Sequence, residues 1–414
     1  MRSIELFAGA GGLAIATANA GFDHEAVLEW DDNACATIRR NKAAGMAHIR
    51  DWEVVQGDVA RYDFRQHTGR VEFVSGGPPC QPFSIGGKHR GMDDSRNMFP
   101  HVVRAVREIQ PKAFLFENVK GLLRKSFANY FAYIIHQLTY PNILRRGDEE
   151  WMDHNARLEK AITSGKPRRL HYNVVYQILN AADYGVPQRR ERVLIVGIRS
   201  DLGVKFSFPS PTHEEDALVF DQWVTGDYWE RHKVARKNRP RMPSRLRPKV
   251  ERLSALWSSA MLLPWRTVRD AISDLPRIAP GQTCERFPNH FLNPGARAYA
   301  GHNGSPMDQP AKTLKAGDHG VPGGENMLRL PDASVRYFSV RECARLQTFP
   351  DEWVLEGSWT ESMRQLGNAV PVRMAEVVAT ELRRAIQRDD EVMKVMQGSV
   401  RTRGIKARRS AVRL

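Results

Sequence analysis

Residues 3–199 alternate short apolar runs with helix-forming segments, and this alternation limits the possible folds more than any other feature of the chain. SIELFAG (3–9) reads as a buried strand, and GAGGLAIATANAG (9–21) as a turn and a helix of small residues. EAVLEW (25–30) and DNACATIRRN (32–41) repeat the strand-helix unit. EVVQGDV (53–59), VEFVSGG (71–77) and KAFLFENV (112–119) supply strands three to five, with a helix over 97–110 before the last. YNVVYQILNA (172–181) and RVLIVGIR (192–199) add two more strands. Apolar strands alternating with helices predict an α/β fold around a doubly wound, mostly parallel sheet. Ligands of such sheets gather at the carboxyl ends of the strands. Gly9, Glu29, Asp58, Cys80 and Glu117 all fall at those ends.

The chain has 414 residues, 42% of them apolar, enough for two or three domains with a real core. Its 62 basic against 47 acidic residues leave a net charge of +15. Such a surplus suits a polyanionic partner, nucleic acid before membrane, with solubility accounting for part of it. Cys35, Cys80, Cys284 and Cys343 form no CxxC pair, so neither a disulfide framework nor a metal site is expected. No apolar run is long enough for a bilayer span, and residues 3–7 lead into a glycine loop rather than a secretory leader. The expectation is a cytoplasmic, nucleoid-associated protein without membrane contact.

AGAGG after the first strand is either a tight connection or a ligand loop. Glu29, twenty positions beyond Gly9, stands where an acid accepts from ribose hydroxyls, which favours an adenosine-containing cofactor without choosing between a dinucleotide and S-adenosylmethionine. Trp30 either stacks on an adenine or is half-buried packing; Asp58 either reads the adenine edge or opens a turn. GGPPCQPFS (76–84) decides between the cofactors. Prolines fix φ and bias the preceding residue toward extended geometry, so Cys80 sits in a backbone with few conformations left. A thiolate held still at a strand end is a strong nucleophile. FENV (116–119) places Glu117 at the neighbouring strand end after the apolar FLF, where burial raises a carboxyl pKa. This is a nucleophilic thiol paired with a general acid able to protonate a ring nitrogen.

LFAGAGGL (6–13), EWD (29–31), GDV (57–59), GGPPCQPFS, FENV, QRRERVLIVG (188–197), RECARLQTFPD (341–351) and GNAVP (367–371) occur in this order. Together they resemble the motif set of DNA cytosine-5 methyltransferases of bacterial restriction-modification systems, over roughly 1–200 and 335–385. The resemblance implies a Rossmann-like methyltransferase sheet and methyl transfer from S-adenosylmethionine to carbon 5 of a cytosine flipped out of double-stranded DNA. It makes Cys80 the nucleophile toward carbon 6 and Glu117 the partner of ring nitrogen 3. Arg190 and Arg192 would hold the ring oxygen and nearby backbone, and Asn118 would brace the cysteine loop. Phe7, Gly9, Gly11 and Gly12 would line the methionine end of the cofactor, with Glu29 on the ribose and Trp30, Asp58 and Val59 around the adenine. Pro79, Asn368 and Val370 would complete that pocket. GGKHRGMDDSRN (86–97) resembles the family's mobile DNA-closing loop; Ser84, Lys88, His89, Arg90 and Arg96 would contact DNA. A monomer paired with a cognate restriction endonuclease is expected, and the alternative substrate of the same chemistry is tRNA.

These readings divide the chain into a catalytic domain (1–205), a smaller target-recognition region (206–335, with 206–266 as extra material), a return to the catalytic domain (336–395) and a basic, disordered tail (396–414). TVRDAISDLP (267–276) resembles the family's entry into the recognition domain. Residues 231–252 hold ten Lys or Arg and one acid, Glu251, flanked by Trp223, Trp229, Trp257 and Trp265. Basic clusters with aromatic neighbours suit a nucleic-acid surface, and a solvated linker is the alternative. The basic insertion 145–169 is a second departure from the family pattern, read as an extension of the DNA footprint.

Overall fold

The computed structural model describes residues 1–46, 48–79, 97–165, 170–255, 262–299, 303–316 and 326–388. Its first elements are β1 (Arg2–Leu6), α1 (Gly12–Asn19), β2 (Asp23–Glu29), α2 (Asp32–Ala43), β3 (Glu53–Gln56), β4 (Phe73–Gly76), α3 (Phe99–Ile109), β5 (Ala113–Val119), α4 (Ala128–Thr139), α5 (Trp151–Thr163), β6 (Tyr172–Asn180) and β7 (Glu191–Arg199); all but α4 and α5, which the sequence reading did not place, form where the apolar runs put them. Local signals support these bounds. The Asp31 carboxylate accepts from the Ala34 amide at 2.9 Å and caps α2, whose last turn carries Arg40 and Lys42 against the negative end of the helix dipole.

The seven strands make one sheet in the order β3-β2-β1-β4-β5-β7-β6. β1 to β5 pair in parallel, while β7 runs antiparallel to both neighbours. The reversal has a simple cause: only residues 181–190 join β6 to β7, too short for the crossover that a parallel pair requires. It brings the start of β7 and the end of β6 to the sheet edge where β5 ends, with Arg192 opposite both Val119 and Leu179.

Side chains alternate across the sheet and feed two apolar layers. Phe114 and Phe116 join Val102, Val106 and Ile134 on one side; Leu115 joins Leu13 and Val196 on the other. Each of these fully buried side chains contributes about 1.5–3 kcal/mol. The second layer is finished from the far end of the chain. Leu346 from α10 (Val340–Leu346), Leu366 from α11 (Trp359–Asn368) and Val378 from a helix over residues 372–388 share that layer with α1.

Between these parts lie β8 (His213–Glu214), α6 (Glu215–Phe220), a π-helical turn (Asp221–Thr225), α7 (Asp227–Arg231), α8 (Arg247–Ala255), β9 (Leu263–Pro264), α9 (Val268–Ile272) and a small sheet of β10 (Ser305–Pro306), β11 (Met327–Arg329) and β12 (Val335–Tyr337). Leu218, Tyr228 and Trp229 are buried together, with Trp223, Val234 and Trp265 packed around them. This corrects one expectation. Three of the four tryptophans beside the basic stretch build a local core instead of interleaving with cations on a binding surface; Trp257 lies outside the described residues.

The 145–169 insertion forms α5, which lies against α4: Tyr133 Oη is 2.7 Å from His154 Nδ1, and His154 Nε2 is 2.7 Å from the Ile143 carbonyl. Within the insertion Arg145 donates to the Glu149 carbonyl and Arg157 to its carboxylate, so these cations serve the local structure. No helix among the described residues is long and apolar enough to cross a membrane. The tail 396–414 lies outside them.

Candidate active site

The site grows from the end of β5. Phe114, Leu115 and Phe116 are fully buried, and Glu117 follows them at the strand's carboxyl end with its side chain 9% exposed. Glu117 faces Leu194 in the β5–β7 register, which puts Arg192, two residues earlier on β7, diagonally across the same face. Arg192 Nε lies 2.8 Å from Glu117 Oε1, and that side chain is itself only 12% exposed. Burial pushes the Glu117 carboxyl above the usual carboxylate range, opposed by the guanidinium groups of Arg192 and Arg190. The result is a carboxyl that binds its proton more tightly than an exposed glutamate, beside a fixed positive charge.

The stem of the cysteine loop arrives at the same place. Gly76 pairs with Phe116, and a Cβ on Gly77 would stand 3.4 Å from Glu117 Oε2. Asn118 donates from Nδ2 to the Pro78 carbonyl at 3.1 Å. This bond ties the loop to β5 one residue from the acid, the bracing expected of Asn118. Pro79 is the last described residue there; Cys80, Ser84, Lys88, His89, Arg90 and Arg96 lie outside the described residues.

Arg190 faces away from the site. It is fully buried, and its guanidinium donates to the carbonyls of Leu314, Gly367 and Ala369 at 3.0, 2.7 and 2.8 Å. It therefore holds protein backbone, fastening GNAVP and residue 314 to the start of β7, and acts on the site by positioning. Gln188 does similar work that the sequence reading missed: its Oε1 accepts from the Leu314 amide at 3.1 Å and its Nε2 donates to the Leu346 carbonyl at 3.2 Å. Its place at the head of QRRER was the available signal.

The remaining residues line the neighbouring strand ends. Phe7, Gly9 and Gly11 all take left-handed backbone, with φ of 55°, 53° and 87°, so the chain turns sharply off β1. A Cβ on Gly12 would lie 2.5 Å from the Val370 carbonyl, which is how closely GNAVP approaches the glycine loop. Glu29 Oε2 accepts from the Gly9 amide at 2.7 Å, and Oε1 accepts from the amides of Trp30 and Asp31 at 2.8 and 2.9 Å. The Gly57 amide donates to the Glu29 carbonyl at 2.9 Å, joining β3's end to the group. Asp58 caps the turn before Ala60, with Val59 buried beneath it. Trp30 is 76% exposed, leaving its indole face free. Asn368, at the end of α11, is exposed and Val370 buried.

These residues fit an adenosine-containing group. Among the described residues nothing beyond the chain neighbours stands within 4 Å of a Cβ built on Gly9 or Gly57, so these strand ends leave an open cradle between a carboxylate and an exposed indole. Among the described residues no His, Cys, Asp or Glu cluster could hold a metal ion.

A parallel methyltransferase-type sheet with one reversed strand, carrying a buried acid beside a proline-framed loop, defines a class, and the comparisons define the family. The model of the C-5 cytosine-specific DNA methylases matches residues 1–140 and 151–384. The type II methyltransferase M.PspPI of Psychrobacter sp. (strain TA137) is 32% identical over 389 residues, covering 92% of this chain and 79% of that protein. M.NgoMIV of Neisseria gonorrhoeae is 30% identical over 392 residues, covering 94% and 99%. The chain therefore belongs to the C-5 cytosine-specific DNA methylases. Solved structures agree on the fold: S. pombe Dnmt2 methyltransferase superposes with a TM-score of 0.52 at 16% identity, covering 92% of this chain and 97% of that one.

Proposed function

We propose that this DNA methylase transfers the methyl group of S-adenosylmethionine to carbon 5 of a cytosine flipped out of a specific duplex sequence, through a covalent adduct with Cys80. The observation that carries this reading is the buried Glu117–Arg192 pair beside the tethered stem of the Cys80 loop. Flipping the base costs a few kcal/mol and exposes both ring faces. The Cys80 thiolate adds to carbon 6, forming a carbon–sulfur bond, while Glu117 delivers its proton to ring nitrogen 3. The displaced electron pair makes carbon 5 a nucleophile. S-adenosylmethionine supplies an electrophilic methyl on a sulfonium leaving group. Once carbon 5 is methylated, its proton leaves to water, the electron pair restores the 5,6 double bond and expels the thiolate, and ring nitrogen 3 returns its proton to Glu117. Arg192 holds the Glu117 carboxyl and faces the ring oxygen; Arg190 positions the strand that carries it.

Glu29 would take the ribose, with Phe7, Gly9, Gly11, Gly12 and Pro79 along the methionine end and Trp30, Asp58, Val59, Asn368 and Val370 around the base. Glu29→Ala should weaken cofactor binding about tenfold, the cost of one lost charged hydrogen bond, and leave DNA affinity unchanged. Titration calorimetry reads both, and an unaltered cofactor Kd would remove Glu29 from the pocket. Residues 206–335 would carry target recognition. The similarity to type II methyltransferases supports pairing with a cognate restriction endonuclease.

Covalent trapping tests the whole reading. Fluorine at carbon 5 cannot leave as a cation, so DNA containing 5-fluorocytosine at the target should stay attached to the protein on denaturing gels, only when S-adenosylmethionine is added. Cys80→Ser should give no such band. Equal trapping by Cys80→Ser would overturn the adduct, and trapping of fluorinated tRNA but not DNA would transfer the chemistry to RNA.

A further inference from the structure

We propose that residues 233–247 form a phosphate-binding arm that grips the DNA duplex outside the methylated site. Of the ten cations between 231 and 252, four are paired: Arg231 with Asp221, Arg239 with Glu230, Lys249 with Glu215 and Asp216, and Arg252 with Asp216. The other six, Lys233, Arg236, Lys237, Arg241, Arg245 and Arg247, are exposed and have no acidic partner among the described residues. They lie in and around two 3₁₀ turns, Arg236–Asn238 and Ser244–Leu246, that are separated by Pro240 and Pro243. A solvated linker would not be fastened at both ends. Here Arg239 pairs with Glu230 of α7 at 2.5 Å, and Lys249 anchors α8 to α6.

The arm's base sits at the active edge of the sheet. Glu215, on α6, pairs with Arg189 of QRRER at 2.9 Å, and the Arg189 guanidinium lies 4.9 Å from the centre of the Trp265 ring. Trp265 Nε1 in turn donates to Asp183, in the link between β6 and β7, at 2.9 Å. Arg189 is three residues from Arg192, the partner of Glu117. The unpaired cations are thus mounted beside the cleft that receives the substrate.

The chemistry of the arm selects its partner. Residues 233–247 contain no aromatic residue, and the nearby tryptophans are turned into the local core. Single-stranded nucleic acid is held largely by stacking bases on aromatic rings, which this arm lacks. Exposed Lys and Arg alone neutralise phosphates without reading bases, which suits a duplex backbone. The inference rests on DNA as the substrate, whose own test, covalent trapping, does not involve the arm.

The quadruple variant Lys233→Gln, Arg236→Gln, Lys237→Gln and Arg241→Gln should flatten the plot of log affinity against log salt on an arbitrary duplex. Each contact removed should reduce the slope by about 0.9, so between about 50 and about 200 mM salt affinity falls about 3.5-fold less per contact. The charge-conserving set Lys233→Arg, Arg236→Lys, Lys237→Arg and Arg241→Lys should keep the wild-type slope. An unchanged slope in the glutamine variant would overturn the arm. So would a flattened slope in the charge-conserving set, or an effect on tRNA with none on duplex.

Discussion

Glu117→Gln should slow methyl transfer by about 10²–10⁴-fold in single-turnover assays while cofactor affinity stays the same, the range expected for losing a positioned general acid. Glutamine keeps the shape of the side chain and its carbonyl can still accept from Arg192 Nε, so the pocket survives. What is lost is the proton for ring nitrogen 3. The pH profile separates this from a structural effect. Burial raises the Glu117 pKa, so wild type keeps its acid form to higher pH than an exposed glutamate, and its rate falls as pH rises through that raised value. The glutamine variant, already without the proton, should lack that limb. A variant whose rate matches wild type across the profile would strip Glu117 of its role.

A second large effect is expected on stability, at a carboxyl buried inside the sheet. Glu5 is fully buried on β1, opposite Ser75 of β4; the Ser75 hydroxyl bonds one carboxyl oxygen, and Oε1 has no partner among the described residues. Burial pushes its pKa from the ordinary 4.5 up to about 8. The folded protein therefore holds a proton that the unfolded chain releases. The stability this group contributes is fully present below about pH 4.5 and is lost as pH rises to about 8, at about 1.4 kcal/mol per unit. Glu5→Gln removes that dependence. Its unfolding free energy should gain on wild type by about 2 kcal/mol between pH 5 and pH 7, and level off above about pH 8. The constant cost of burying an amide cancels in this comparison. Denaturant melts at several pH values read the difference, and parallel curves would mean that Glu5 is ionised inside the fold.

The sequence was most legible where short-range rules act. The seven strands and helices α1 to α3 follow from apolar spacing, and the ends of β1, β2, β3 and β5 mark the cofactor cradle and the acid. Proline spacing singled out the 76–84 loop because proline restricts backbone locally. The reversal of β7 was not among those readings, although its short link to β6 is the physical cause.

Contacts between distant parts of the chain are another matter. QRRER offers three arginines of one type, and composition cannot tell that Arg189 stacks on Trp265, Arg190 binds the carbonyls of 314, 367 and 369, and Arg192 meets Glu117. Alternation along β7 and packing from segments 75 to 179 residues away decide each direction. The tryptophans near 231–252 looked equally suited to a nucleic-acid surface, and only tertiary packing turned them inward and left the cations out. The amino-acid sequence by itself determined the sheet, the glycine loop and the identity of the candidate acid, because backbone propensity and apolar periodicity are local. The tertiary structure decided which charges are paired, buried or free, because a charge's energy depends on what surrounds it in space.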